Sequence, residues 1–356
     1  MHFLVITREW PGYTLGGISY HLSNMYQSVV NMGHKITVIT GVCPQSRDEL
    51  LDDKPPTEEL YKLQFGHRKG HFVLFPVALK AFLSDFDFDN FDACVTHTEI
   101  PYHIPLPTVS KRHDCYQETK AYIRSGLPLH ESIGDRLLEP LRKVIYNRSL
   151  DMSDHLIFNS KLCREAWAEH YNLETPSTIS HNGVDTNRFY PDPGSLDNEY
   201  ILFVGNSERK GLSKVIEFAE STDNSVIMVG PSQINSQSVK AVGRVSPEKL
   251  RRIYSDAAVT VHPTGFEAFG NVVLESVACG TPVVTTDRCG AAECLPSSCC
   301  ITTNDLISGV ESARELEEKN CVEAAQNLTW KSPAKDLVEV TEELVRDITE
   351  PLERLG

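Results

Sequence analysis

Apolar residues fall in short runs separated by longer amphipathic stretches, and this rhythm persists along the whole chain. Phe3–Thr7 predicts a strand, and Gly17–Met32 a helix with Ile18, Leu22, Met25 and Val29 near helical spacing. Gly33-His34 closes that helix, and Lys35–Thr40 reads as the next strand. Ala93–Thr96, Thr108–Ser110 and His155–Phe158 continue the strand series. The pattern restarts beyond residue 200. Ile201–Gly205, Ser225–Val229, Val259–His262 and Thr281–Thr285 predict strands, and Gly211–Glu220 and Ser246–Ser255 predict helices. Such alternation implies parallel sheets with crossover helices.

The two series are divided at Tyr190-Pro191-Asp192-Pro193-Gly194-Ser195, where Pro, Gly and Asp cannot easily continue a regular element. The expected layout is a doubly wound α/β domain over residues 1–188, a linker over 189–198 and a second such domain over 199–331. A helix over 332–356 follows, with Leu337, Val340, Leu344, Val345 and Ile348 on one side, expected to pack across the domains. The polar stretch Gln45–Gly70, with Pro55-Pro56, is expected to be a mobile loop. Ligands of doubly wound sheets bind beyond the carboxyl ends of the strands, so a cleft between the two domains is the expected site.

Composition narrows the function. A hydrophobic content of 40% and a charged content of 23% are those of a globular protein. No apolar run reaches eighteen residues, so no transmembrane span is expected. Met1-His2 leads straight into the first strand without a secretory leader, which places the expected location in the cytoplasm, with the inner membrane face as an alternative. Ten scattered cysteines then read as reduced thiols, and Cys294, Cys299 and Cys300 lack a matching His spacing for zinc. The net charge of −15 argues against general nucleic-acid binding and would repel anionic lipid except at a local basic patch. Arg136, Arg142, Lys143 and Arg148 recur at helix-like spacing; a solvated face is the default, and contact with an anionic acceptor or a lipid surface is the alternative.

Candidate chemistry lies at the predicted strand ends. The first strand runs through Arg8 to Gly16-Gly17 at a helix start, where the backbone can approach a ligand closely, although Gly-x-Gly-x-x-Gly is not present. The strand ending at Gly205 delivers Arg209 and Lys210, a fork and a point charge suited to a diphosphate. Thr108–Ser110 leads to His113, which would hang over the cleft, and His97 is a weaker candidate of the same kind. Glu267 and Glu275 bracket Phe269-Gly270-Asn271 at a predicted helix opening. Carboxylates that accept sugar hydroxyls, beside a helix N-terminus that attracts phosphate, suit a phosphorylated, polyhydroxylated ligand. Taken alone, the same spacing fits an ordinary strand–loop–helix unit with two solvated glutamates.

The segment Glu267–Glu275 with Phe269-Gly270 resembles the paired-glutamate signature of retaining glycosyltransferases of family four, which have the GT-B fold of two Rossmann-like domains facing across a cleft. Ordered matches run along the chain: Gly16-Gly17, Gly33-His34-Lys35-Ile36-Thr37-Val38, Ser180-His181-Asn182-Gly183-Val184-Asp185, Phe189-Tyr190-Pro191, Lys210-Gly211 and Gly243-Arg244-Val245. The resemblance implies an acceptor-side first domain and a nucleotide-sugar-binding second domain. By this resemblance Glu275 holds the ribose hydroxyls, and Glu267 contacts the transferred sugar with the amides near Phe269, Gly270 and Asn271. Lys210, with Arg209, neutralises the diphosphate, Arg244-Val245 meets the base, Gly16 and Gly17 approach the phosphate, and His113 sits by sugar and acceptor. The family usually has Arg after the glycine that ends this strand; here Asn206 stands there, and Arg209 is the only arginine of the loop. The implied activity is transfer of a hexose-type sugar from a nucleotide diphosphate donor, UDP before GDP, to a glycan, lipid-linked or small-molecule acceptor. No cofactor or metal is implied, because Lys210 and the helix terminus supply the positive charge. The rivals are a catalytically inactive sugar-nucleotide-binding protein and a GT-B-fold epimerase or phosphorylase.

Overall fold

The computed structural model describes residues 1–13, 17–43, 54–66, 70–192 and 200–353. Two parallel sheets divide the chain. The first contains β1 (His2–Thr7), β2 (Lys35–Val42), β3 (Glu59–Gln64), β4 (Ala93–Thr96), β5 (Thr108–Arg112), β6 (His155–Phe158) and β7 (Ser177–Ile179), in the order β3-β2-β1-β4-β5-β6-β7. The second contains β8 (Ile201–Val204), β9 (Val226–Val229), β10 (Val239–Ala241), β11 (Val259–His262), β12 (Val283–Thr285) and β13 (Cys300–Thr302), in the order β10-β9-β8-β11-β12-β13.

Helices cover both faces, and alternate residues of the central strands supply the two cores of each half. Phe3 and Val5 of β1 pack with Leu22, Met25, Tyr26 and Val29 of α1 (Gly17–Asn31), while Leu4 and Ile6 face Phe75 and Leu79 of α2 (His71–Leu83). α3 (Tyr116–Ser125), α4 (Leu129–Asp151) and α5 (Lys161–His170) complete the first half. In the second, Ile201 and Phe203 of β8 meet Val215 and Phe218 of α6 (Leu212–Ser221). Leu202, on the other face, packs with Tyr254 of α7 (Pro247–Ser255) and with Val273 and Leu274 of α8 (Asn271–Ala278). α9 (Leu306–Ala313) and α10 (Glu318–Gln326) follow. Strands buried on both faces explain why their sequences are continuously apolar rather than alternating.

In each sheet the strand order reverses at a central strand, β1 in the first and β8 in the second. A doubly wound sheet opens a crevice at such a reversal. The segments after β1, β5, β6, β7, β8 and β11 therefore form the walls of the cleft.

Three expectations are revised. The stretch expected to be a mobile loop contains β3, which pairs in parallel with β2 from Glu59 to Gln64. An edge strand with one half-exposed face carries polar residues, so its composition resembled a loop. The second half also begins before residue 189, because Val184 and Phe189 already pack in its core beside Tyr254. Residues 193–198 of the expected linker lie outside the described residues. Finally, α11 (Lys331–Glu353) does not straddle the halves: Ala334, Leu337 and Val338 join the core of the first sheet, against Phe3, Val5 and α1. The chain thus crosses twice, side by side. The amide of Val184 donates to the Leu328 carbonyl at 2.7 Å, and Val184 bridges in parallel to Thr329.

Candidate functional site

A cavity of about 420 Å³ lies between the halves, at the carboxyl edges of both sheets. Its second-half wall is built by two loops. After β8 the chain makes a short 3-10 turn, Glu208–Lys210, and Gly211 then leaves it at φ 91°. A Cβ at Gly211 would overlap the Pro263 backbone, so this tight joint needs glycine twice over. The turn brings Arg209 and Lys210 to the cavity. After β11 the chain folds back on that turn: the Arg209 carbonyl accepts from the Gly265 amide and from the Thr264 hydroxyl, both at 2.8 Å. Glu267, Phe269, Gly270, Asn271 and Glu275 reach the same cavity, so the N-terminus of α8 opens onto it.

The two glutamates stand in different fields. Glu267 forms an ion pair with Arg209 at 3.1 Å, and the Arg209 guanidinium also donates to the Phe266 carbonyl at 2.8 Å. Burial alone would raise the Glu267 carboxyl; Lys210 and Arg209 outweigh it and hold the group below the usual carboxylate range. His262, 3.8 Å from Glu267, is kept neutral by burial, its pKa pushed down to about 3. Glu275 lies deeper, on α8, where burial pushes its pKa up to about 6 against the pull of a Tyr254 hydroxyl donating at 3.1 Å and of Lys210. One glutamate is thus a fixed anion, and the other titrates near neutrality.

The first half supplies α1 and the end of β5. Gly17 opens α1, whose Ile18, Tyr20 and His21 line the cavity; Gly16 lies outside the described residues. His113 lines it too, and burial beside Lys111 and Arg112 keeps its ring neutral, with a pKa of about 3. His97 stands behind it. Its Nδ1 meets His113 Nε2 at 2.8 Å, and its Nε2 meets the buried Tyr26 hydroxyl at 2.7 Å. A buried phenol with no other acceptor donates to His97, so His97 Nδ1–H donates onward and His113 carries its own proton on Nδ1. The nitrogens of His21, His97 and His113 lie within 4.8 Å of one another, close enough to raise the question of a metal. The ring nitrogens of His97 are committed to Tyr26 and His113, and burial beside the Lys111 ammonium keeps all three histidines neutral.

Several predicted residues lie off the cavity wall. Asn206 sits at the carboxyl end of β8 beside Gly230, whose amide donates to Gly243 at 2.9 Å. Arg244 is exposed just beyond Gly243, and Val245 packs against the second core. These three form a neighbouring edge at the ends of β8, β9 and β10. Other wall residues, Asp114, Asn159 and Asn182, were not singled out in the sequence. Asp114 opens to the cavity yet is ringed by protein, which raises its pKa to about 6 although Arg209 pulls it down. Its position directly after His113, at a strand end, was the available signal.

Contacts across the halves frame the cavity. Asn182 donates to the Asn271 side chain at 3.0 Å. Ser160, the N-cap of α5, accepts from the Cys163 amide at 2.9 Å and donates to the Ala268 carbonyl at 2.5 Å. Glu293 of the second half accepts from the first two amides of α5, Lys161 and Leu162, each at 2.7 Å. Arg288 pairs with Glu118 of α3.

Known proteins carry the same pattern. Residues 15–188 match the family described as Glycosyltransferase Family 4, and residues 190–319 match Glycosyl transferases group 1. The phosphatidylinositol N-acetylglucosaminyltransferase gpi3 subunit of Schizosaccharomyces pombe is 23% identical over 309 residues, covering 79% of this chain; the match spans 65% of that relative's length. Sucrose-phosphate synthase from Thermosynechococcus elongatus superposes with a TM-score of 0.73 at 18% identity, covering 97% of this chain and 99% of that one. Anabaena HepE, solved with UDP and glucose, superposes at 0.64 and 15% identity, covering 96% and 100%.

Proposed function

The chain belongs to the glycosyltransferases of family four, and on that premise we propose that it moves a hexose-type sugar from a nucleoside diphosphate donor with retention at the anomeric carbon. One observation carries this reading: the cationic turn Arg209-Lys210 shares one cavity wall with Glu267, Glu275 and the N-terminus of α8. In this reading the donor's sugar lies by Glu267, its ribose by Glu275 and its diphosphate by Lys210 and the helix terminus.

The bond from the anomeric carbon to the diphosphate oxygen breaks through an oxocarbenium-like transition state. The acceptor hydroxyl adds to the same face, and its proton passes to the departing phosphate oxygen. Negative charge builds on the diphosphate, and fixed positive charge lowers the barrier because it needs no reorganisation. Arg209 acts through Glu267, which it holds ionised and oriented. Neutral His113, protonated on Nδ1, is a hydrogen-bond donor for a sugar or acceptor oxygen. UDP is the first donor base to test, because Anabaena HepE shares the fold and was solved with it; GDP is next. A lipid-linked acceptor comes first, since the Schizosaccharomyces pombe relative is named for a phosphatidylinositol substrate, ahead of a free glycan or a small metabolite.

The test is incubation with labelled nucleotide sugars and acceptor fractions, with NMR of the product's anomeric proton. Glycosylated product with the donor's configuration supports the reading. Tight nucleotide binding without product overturns it in favour of a sugar-nucleotide-binding protein, and an altered sugar still on the nucleotide overturns it in favour of an epimerase.

A further inference from the structure

Eight of the fourteen exposed large apolar side chains among the described residues fall between positions 122 and 144, in α3 and α4. Leu129, Ile133, Leu137, Leu141 and Val144 recur at spacings of four, four, four and three, which places them on one stripe of α4. Leu129 is 78% exposed, Leu137 76% and Val144 62%. The opposite face is the buried one, and it is largely polar: Ser132, Arg142, Tyr146 and Ser149 with Leu150. A surface helix normally turns its apolar stripe to the core. Here the stripe faces out, and no helix among the described residues is long and apolar enough to cross a membrane.

The charges beside the stripe indicate what it meets. Two of the four carboxylates of α4, Asp135 and Glu139, are engaged by cations, while Asp151 is exposed at the C-terminal end, three residues from Arg148. Asp135 accepts from Arg124 at 2.8 Å and Arg142 at 2.9 Å, and Glu139 accepts from Arg124 at 2.6 Å and Lys120 at 2.7 Å. Arg136 and Lys143 are exposed along one border of the stripe, and Arg148 at its C-terminal end. A protein of net charge −15 thus presents cations beside its most apolar surface. An antiparallel pairing with a second copy would bring the Arg136 and Lys143 borders of two chains together, which is unfavourable. An anionic bilayer surface matches both the apolar stripe and the cationic border.

We propose that α4 docks the protein on an anionic lipid surface, lying in the plane of the interface with its stripe in the acyl boundary. The docked helix is next to the cleft. Tyr122 of α3 has its hydroxyl against Gly265, two residues before Glu267, and Glu118 of α3 pairs with Arg288. The mouth of the cavity would then open at the lipid surface. This inference does not depend on the identity of donor or acceptor.

The test uses the full chain and sedimentation with phosphatidylcholine vesicles, with and without phosphatidylglycerol. Binding is expected with the mixed vesicles and is expected to fall with salt. Arg136→Gln or Lys143→Gln should weaken it about fivefold each, and Leu137→Glu about tenfold or more, with melting temperature and nucleotide affinity unchanged as proof that the variants fold. All three tryptophans, Trp10, Trp167 and Trp330, are buried, so Leu137→Trp adds an exposed reporter whose emission should shift to the blue on the mixed vesicles. Absence of vesicle binding at low salt overturns the proposal. So does undiminished binding by Leu137→Glu, or a wild-type dimer that this substitution splits while lipid binding is nil.

Discussion

Lys210 acts on both glutamates at once, lowering each carboxyl although neither forms an ion pair with it at contact distance. Lys210→Ala should therefore cut kcat by about a hundredfold, the usual effect of removing a group that stabilises charge in the transition state; steady-state kinetics on the folded variant checks this. Glu275 gives a pH prediction with a definite sign. Its folded pKa is raised to about 6 from 4.5. The fold thus favours the protonated form, and that stability is complete below the unfolded value and lost as pH rises through about 6, about 2 kcal/mol in all. With a ribose at Glu275, as proposed, its hydroxyls would donate to the ionised form, so the nucleotide-induced rise in melting temperature should be larger at about pH 7.5 than at about pH 5. Glu275→Gln should shrink the rise and flatten its pH dependence. Glu267, Glu275 and Lys210 were legible in the sequence because each sits within a short segment that also forms its own loop. Asp114, Asn159 and Asn182 were not, because they reach the cavity only when two halves of the chain meet.

Elements at the cleft stabilise one another across it. α5 has a capping serine of its own, yet its first two amides are taken by Glu293 from the other half. A carboxylate at a helix N-terminus gains from the helix dipole as well as from two hydrogen bonds. The Glu293 carboxyl is accordingly held below the usual range: burial raises it, and His181 with the Leu162 and Lys161 amides more than offsets this. The stabilisation is present above the ordinary carboxylate pKa and lost as pH falls. Glu293→Ala should cost about 1 kcal/mol, read as a lower urea midpoint, and the loss should vanish in acid. Strands such as β1 and β8 were plain in the sequence because burial on both faces leaves an unbroken apolar run. β3 was hidden because an edge strand is half polar, and α4 showed only through the helix-like spacing of its cations, because its apolar positions point outward, where the periodicity that marks a core face is misleading.

At the scale of the molecule, the halves are joined by two adjacent crossings, at Val184 and at Thr329. Gly183 lies between them, and a Cβ there would overlap the backbone of Thr329 and Trp330. Gly183→Ala should force the crossings apart. Small-angle scattering should then show a larger radius of gyration, with turnover falling more than nucleotide affinity, since one half supplies Arg209, Lys210, Glu267 and Glu275 together. The two-domain α/β architecture was legible from alternation alone. The return crossing was not legible, because an amphipathic helix carries no record of which half it will cover. That return also fixes an order of events during synthesis. Phe3 and Val5 pack against Ala334, Leu337 and Val338 as well as against α1, so this face of the first sheet is only partly covered until α11 returns. The first half would therefore complete its core only after the second half has been made, so its folding is tied to a segment more than three hundred residues away.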